Sequence, residues 1–198
     1  MIGTAMMITV IGQHEEANQL DAMPWQVDRL ENGSLRVFGL TLGKTSIQEA
    51  NQIFARFGEN KFQINTDNDG KQSFELFTHY DDLLFDGLIA SIKLTYQIDH
   101  EELALIYRSL TTPLTKQKTI TLPIDKSIEI KYLNSPIASI TYIPSIDYEF
   151  NSIRQYFGPA ATEKSINDDL QIWDYPKMGL QIFIYDNAPD QFIYKPLK

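Results

Sequence analysis

The sequence predicts an α+β fold of two tandem repeats, each a helix packed on a small antiparallel sheet, and three observations predict it. Two segments near residues 46–58 and 147–158 carry apolar side chains at helical spacing between marked ends. Around them the chain breaks into short β-prone runs punctuated by Asn, Asp, Gly and Pro. Sliding the chain by 100 residues superposes Glu49 on Glu149, Asn51 on Asn151, Ile53 on Ile153, Phe57 on Phe157 and Gly58 on Gly158, five identities in ten positions. The same offset sets Leu83-Leu84-Phe85-Asp86 beside Phe183-Ile184-Tyr185-Asp186 and Ile92 beside Phe192. Each unit offers one apolar sheet face for its helix to cover, and two units bury further surface against each other. The expected division is an N-terminal apolar segment and polar linker over 1–21, repeat one with a linker helix over 22–112, and repeat two over 113–198.

Taken in order, Trp25 to Leu30 and Leu35 to Leu42 read as a hairpin, because the Asn32-Gly33 pair between them suits a type I′ turn. Ser46 and Glu49 form a capping box before Ile47, Ala50, Ile53, Phe54 and Phe57, and Gly58 ends that helix. Phe62 to Ile64, Ser73 to Phe77, Leu83 to Phe85 and Ile89 to Tyr96 follow as strands, with turns at Asp67 to Gly70 and Asp86-Gly87. Asp99 with Glu102 caps a linker helix bearing Leu103, Ile106, Tyr107 and Leu110 on one face. Thr119 to Leu122, Ile128 to Leu133 and Ile137 to Ile143 alternate as strands. A second helix over Asp147 to Phe157 turns Ile146, Phe150, Ile153 and Phe157 inward and stops at Gly158-Pro159. Leu170 to Tyr175, Gly179 to Tyr185 and Gln191 to Tyr194 close the chain as strands.

Composition narrows the function. Seventeen basic against twenty-six acidic residues give a net charge of −9, which repels the phosphate backbone that nucleic-acid binders must neutralise. With no cysteine, thiolate nucleophiles, disulfides and thiolate metal sites are excluded. The stretch Met1 to Gly12 is uncharged and mostly apolar, yet shorter than the ~20 residues a spanning helix needs. It is expected to be the distal part of an N-terminal membrane tether whose start lies upstream, which places the protein on the periplasmic or extracytoplasmic side; a core-packed segment and a cytoplasmic protein form the alternative.

The order helix, Phe157-Gly158-Pro159, Trp173-Asp174-Tyr175-Pro176, then Leu180-Gln181-Ile182-Phe183-Ile184 resembles the second half of the SmpA/OmlA envelope lipoproteins and of the tandem β-lactamase-inhibitor-protein fold. The stretches Pro24 to Val27 and Arg36 to Gly43 are similar to uncharacterised bacterial membrane-anchored proteins with tandem α/β repeats. The resemblance implies a binding protein that is not an enzyme and needs no cofactor. The chain lacks the lipobox cysteine of the lipoproteins.

Candidate chemistry is sparse. Gly-x-Ser-x-Gly, His-Glu-x-x-His and glycine-rich phosphate loops are all missing from the sequence. Asn65, Asp67 and Asp69 stand at positions one, three and five of a calcium-loop pattern with Gly70 at six, but position twelve is Leu76. A plain hairpin turn selects the same residues. The two His-Glu-Glu runs at His14 and His100 lack the spacing that puts two ligands on one helix face. Asp81-Asp82 and Asp168-Asp169 read as solvated turns, and a catalyst would need a pocket gathering two or more of His79, Asp81, Asp82 and Asp168. The last strands hold Trp173, Tyr175, Phe183 and Tyr185, and Leu180 to Tyr185 is apolar on both alternating sets, so it must be hidden twice. One account buries both sets inside the molecule. The other leaves an aromatic sheet face for a protein partner, with Trp173, Tyr175, Phe183 and Tyr185 as the contacts. The expected function is therefore macromolecular binding, with a small-ligand or calcium-binding module as the alternative.

Overall fold

In the computed structural model, which describes residues 22–111 and 117–197, the chain opens on three short strands, β1 (Asp28–Arg29), β2 (Leu35–Val37) and β3 (Leu40–Thr41). They pair as a small antiparallel sheet. The turn falls where expected but is not the type I′ turn the sequence suggested: the Gly33 amide donates to the Leu30 carbonyl at 2.8 Å, placing Glu31 and Asn32 at its centre, and of the Asn32-Gly33 pair only Gly33 takes left-handed backbone, at φ 81°. The run Leu35 to Leu42, however, is folded in half. Phe38 and Gly39 both take left-handed backbone, at φ 53° and 76°, and turn the chain between β2 and β3. A phenylalanine there costs about 1–3 kcal/mol in strain. Its ring is 2% exposed and sits 4.8, 5.5 and 6.0 Å from the rings of Phe85, Tyr142 and Tyr194. Burial of such a side chain stabilises by about 1.5–3 kcal/mol, with roughly 0.5–1.5 kcal/mol more per aromatic pair, which outweighs the strain.

Helix α1 (Ile47–Ile53) starts at a complete capping box, with the Glu49 amide donating to Ser46 Oγ at 3.2 Å and the Ser46 amide donating to Glu49 Oε2 at 2.7 Å. Then come β4 (Glu59–Thr66), β5 (Gln72–Phe85), β6 (Leu88–Tyr96), α2 (His100–Ser109), β7 (Thr119–Pro123), α3 (Lys126–Tyr132) and β8 (Ile137–Pro144). The chain finishes with α4 (Phe150–Phe157), β9 (Thr162–Asn167), β10 (Leu170–Tyr175), a 3-10 turn over Pro176–Met178, β11 (Leu180–Tyr185) and β12 (Gln191–Tyr194).

Two helix-on-sheet repeats are not what these elements build. Strands β4 to β12 form one antiparallel sheet of nine strands in the order β7-β4-β5-β6-β8-β12-β11-β10-β9. Strand β6 pairs directly with β8, setting Ile92 opposite Tyr142 and Leu94 opposite Ile140, and β7 crosses back to pair with β4 at the far edge. The two corners that suggested duplication also sit in different settings. Phe57 is 89% exposed whereas Phe157 is 8% exposed and packed against Tyr175 and Phe192. Gly158 takes φ 77° with open space where a Cβ would go, while Gly58 is hemmed in by Thr78, His79 and Tyr80. Gly158 is the C-cap of α4, whereas α1 already ends at Ile53 with Phe54 as its cap, so Gly58 does not end that helix as the sequence suggested.

Local departures have local reasons. Ile128 to Leu133 alternates like a strand but lies in α3 and its C-cap, because Ile128 and Tyr132, four apart, reach the core while Ile130 points outward, 68% exposed. Strand β5 runs through two expected strands, with an irregularity between Tyr80 and Leu83 where Asp82 has φ 50°. Strand β9 (TEKSIN) is exposed at every position, so it carries no apolar alternation to read. Asp99 makes no side-chain cap; Glu102 instead accepts from Lys131 Nζ and Tyr132 Oη, each at 2.8 Å, tying α2 to α3. In α4 the expected inward residues Ile146 and Phe150 are 81% and 43% exposed, and Ile153 with Phe157 carries the packing.

The described helices contribute to one core with the small sheet. Phe54 of the α1 C-cap meets Tyr80, Tyr107 of α2 stacks on Phe74 at 4.7 Å, Tyr132 of α3 is buried, and Phe157 of α4 meets Phe192. The N-terminal segment closes over this side, where Tyr194 Oη donates to the Pro24 carbonyl at 2.5 Å and Trp25 stacks on Tyr156 at 4.0 Å. Phe38→Ala is expected to destabilise by about 3–5 kcal/mol, and Phe38→Asn by nearly as much, since relaxing the turn does not restore the buried ring. Urea unfolding checks this; an Asn variant as stable as the parent would mean that the turn, and not the ring, governs this position.

Candidate functional site: the outer face of the sheet

Because all described helices lie on one side, the nine strands alternate between a buried set and a set facing away. In β11 Leu180, Ile182 and Ile184 are buried, while Gln181, Phe183 and Tyr185 are half-buried. Register carries the alternation across the hairpin: Trp173 stands opposite Ile182 and Tyr175 opposite Leu180 on the core side. On the outer side Ile172 stands opposite Phe183 and Leu170 opposite Tyr185. Leu170, Ile172, Phe183 and Tyr185, with Ile143 of β8 and Ile193 of β12, are all absent from the core cluster and its partly buried fringe. Ile166 of edge strand β9 is 46% exposed at the irregularity between the pairs Gln171–Ser165 and Leu170–Asn167.

The four aromatic contacts expected from the sequence therefore divide. Trp173 and Tyr175 are 1% and 5% exposed and belong to the core, so they are corrected from contact residues to structural ones. Trp173 lies 5.5 Å from the Phe150 ring with the Arg154 guanidinium 4.5 Å above it, and its indole N–H has no hydrogen-bond partner among the described residues. Tyr175 Oη donates to the Gly158 carbonyl at 3.2 Å. Phe183 and Tyr185 lie on the outer face.

At one end of the apolar strip made by Leu170, Ile172, Phe183 and Tyr185 the turns β9-β10 and β11-β12 lie side by side, with the Asp186 amide donating to the Asp169 carbonyl at 3.2 Å and Asn187 Nδ2 donating to Asp169 Oδ1 at 3.1 Å. Asp168, Asp169 and Asp186 are exposed there. Beneath them Asp190 is 1% exposed and accepts the Tyr185 amide at 3.0 Å. Burial pushes its carboxyl up to about 6, opposed by the Tyr185 hydrogen bond and reinforced by nearby Asp147. No sequence signal marked Asp190, since Asn187 to Asp190 reads as an ordinary turn.

Toward the N-terminal half the same outer face carries Phe77 and the cross-strand pair Leu84 and Ile89 among polar groups. Lys93 Nζ donates to Glu75 Oε2 at 2.7 Å and to Gln63 Oε1 at 3.3 Å, and covers the Phe77 ring at 4.4 Å. His79 Nε2 meets Asp81 Oδ1 at 2.8 Å, Ser91 Oγ donates to the same oxygen at 3.4 Å, and Arg56 donates to the Asp81 carbonyl. A catalytic triad needs the histidine between the hydroxyl and the carboxylate, and here the carboxylate stands in the middle. None of the four described clefts takes a wall from His79, Asp81, Asp82 or Asp168.

The calcium-loop residues serve the β4-β5 turn. Asp67 Oδ1 accepts the amides of Asp69 and Lys71 at 3.0 and 2.8 Å, and Asn65 Oδ1 accepts from Gln63 Nε2 and Thr119 Oγ1 at 2.9 and 3.1 Å. Lys118 Nζ occupies Asn68 Oδ1 at 2.6 Å, bringing a cation where a metal would sit, and Asp69 projects into solvent. Asn65 and Asp67, two of the calcium-loop candidates, thus carry hydrogen bonds of this turn and its neighbouring strand, while Asp69 donates its amide to Asp67. Among the described residues no three His, Cys, Asp or Glu side chains gather as a metal site. The apolar segment Met1 to Gly12 and His14 lie outside the described residues, and among those described no helix is long and apolar enough to cross a membrane.

Two outcomes follow from burial. Trp173→Ala is expected to cost about 3–5 kcal/mol in urea unfolding, whereas Phe183→Ser and Tyr185→Ser each cost about 1 kcal/mol or less; equal costs would place all three in the core. Folded Asp190 holds its proton more tightly than the unfolded chain does, so stability rises as pH falls from neutral through about 6, by up to roughly 2–3 kcal/mol, until Glu49 and Glu102, whose carboxyls are held low by hydrogen bonds from Ser46 and Lys131, begin to protonate. Asp190→Asn keeps an oxygen for the Tyr185 amide and is expected to flatten that pH dependence; an unchanged slope would assign it to another group.

Compared with known proteins, the chain matches no family model, no curated protein and no solved structure, so the resemblance drawn from its short motifs gains no support from relatives.

Proposed function

We infer that this protein is a non-enzymatic binding module that captures a segment of another protein on the outer sheet face around Phe183 and Tyr185. The observation that carries the reading is the two-sided apolar character of β11: its core set is fully used, and its second set lies half-exposed beside Leu170 and Ile172 with no described element over it. Paired aromatic and branched side chains on a sheet supply contact area at low entropic cost.

Charge complementarity specifies the occupant. The strip ends at Asp168, Asp169 and Asp186, with Lys164, opposite Ile172, as the cation beside it. A segment with aromatic or aliphatic anchors followed by lysine or arginine would bury the anchors on the strip and set its cations against the carboxylates. Nucleic acid is disfavoured by the charge of −9. The expected N-terminal tether and extracytoplasmic setting belong to the same reading, since a tethered module works by holding a partner near a surface.

Selection from a displayed peptide library tests this on the full chain. Enriched peptides should combine apolar anchors with flanking Lys or Arg, weaken as salt is raised, and lose roughly tenfold or more in affinity against Phe183→Ser/Tyr185→Ser while that variant keeps its fold by circular dichroism. Failure to enrich any peptide, or binders indifferent to the double substitution, would sink the proposal.

A further inference from the structure

In a chain of net charge −9, three cations converge on one cleft without partners. The cleft has a volume of about 590 Å³ and is built from three distant stretches: Arg29 of β1, residues 174–181 around the 3-10 turn, and Lys195 to Leu197 at the end of the chain. Arg29, Lys177 and Lys195 line it and are exposed. Among the described residues the ion pairs use Arg36, Lys61, His79, Lys93, Lys131 and Arg154, and none of the three cleft cations has an ion pair or a side-chain hydrogen bond. The one carboxylate in the wall, Asp174, is already committed, accepting from Gln181 Nε2 at 2.7 Å and Thr162 Oγ1 at 2.9 Å.

The cleft has a fixed shape. Gly179 takes φ 58° and accepts the Lys195 amide on its carbonyl at 2.8 Å, and a Cβ at Gly179 would overlap the Lys195 carbonyl and the Leu35 side chain. That close approach locks the 3-10 turn against the end of β12, so that Lys177 and Lys195 line the same cleft. Pro196 and Leu197 supply apolar surface beside them. A volume of this order is that of a small-molecule site, and like charges brought together around a partly apolar floor are stabilised by an anion between them.

We propose that this cleft binds a small anion, a phosphate or carboxylate group, with any apolar body of the ligand resting on Pro196 and Leu197. The site is separate from the outer-face strip, shares no residue with the aromatic pair Phe183 and Tyr185, and fails or survives independently of it.

The test is NMR titration of the 15N-labelled full chain with three probes: hexyl phosphate, inorganic phosphate and hexanol. Hexyl phosphate at millimolar concentration should shift the amides of Gly179, Leu180, Gln181 and Lys195, with binding weakened by salt. Inorganic phosphate shifting the same amides equally well would assign the site to the free anion; weaker shifts would assign it to an organic anion. Arg29→Gln/Lys177→Gln/Lys195→Gln should lower affinity roughly tenfold or more, and Lys177→Gln alone should lower it measurably should the triple variant fold poorly. Silent amides with both phosphates, an equal response to hexanol, or full affinity in the variants would each overturn the assignment.

Discussion

Burial on a single side is the constraint from which the rest of the molecule follows. Nine strands paired edge to edge present two faces, and every described helix, together with the small sheet carrying Phe38, contributes to one of them. The central joint is aromatic: Phe38, Phe85, Tyr142, Phe192 and Tyr194 meet over β6, β8 and β12, where the N-terminal and C-terminal strands join. With that joint closed, alternation along each strand decides which side chains are left for the other face. The N-terminal strands fill those positions with an ion pair, an amide and a lysine laid over Phe77. The C-terminal strands leave leucine, isoleucine, phenylalanine and tyrosine there. The N-terminal strands cover their outer aromatic ring with a lysine, whereas the C-terminal strands leave Phe183 and Tyr185 half-exposed, and that difference marks the candidate contact surface.

What the sequence made legible was local and periodic. The Ser46-Glu49 capping box, the place of the turn at Asn32-Gly33 and strands β10, β11 and β12 could all be read from short-range rules, because each is decided by neighbours in the chain. Strand β9 could not, because TEKSIN contributes backbone pairing to an edge and buries nothing. Phe38 could not, because a bulky residue at positive φ is tolerated only through rings that arrive from β5, β8 and β12. The duplicated letters around Gly58 and Gly158 misled for a related reason. Gly158 caps α4, but α1 has already ended at Phe54 when the chain reaches Gly58, so the same letters serve different local roles and say nothing about which sheet the next strand will join.

The candidate site was half legible. The two apolar sets of Leu180 to Tyr185 separate into one buried and one half-buried set, but which aromatic residues faced outward depended on the β10-β11 register, a pairing of Trp173 with Ile182 that no local pattern encodes. Asp190 and the cleft cations were invisible for the same reason. A carboxylate becomes unusual only when Tyr185 and Asp147 close around it, and Arg29, Lys177 and Lys195 are unremarkable until β1, the 3-10 turn and the residues after β12 are brought together.

The β10-β11 hairpin also has poles. Its 3-10 turn end carries Lys177 beside Arg29 and Lys195, and its open end carries Asp169 and Asp186. Each arm of six residues separates those charges by about 20 Å, roughly twice the screening length at physiological salt. Two groups that far apart barely feel one another, yet each still acts on whatever lies along the strands between them. A polarised chain laid on the apolar strip would meet attraction in one orientation and repulsion when reversed, so the hairpin acts as a compass needle that tells head from tail.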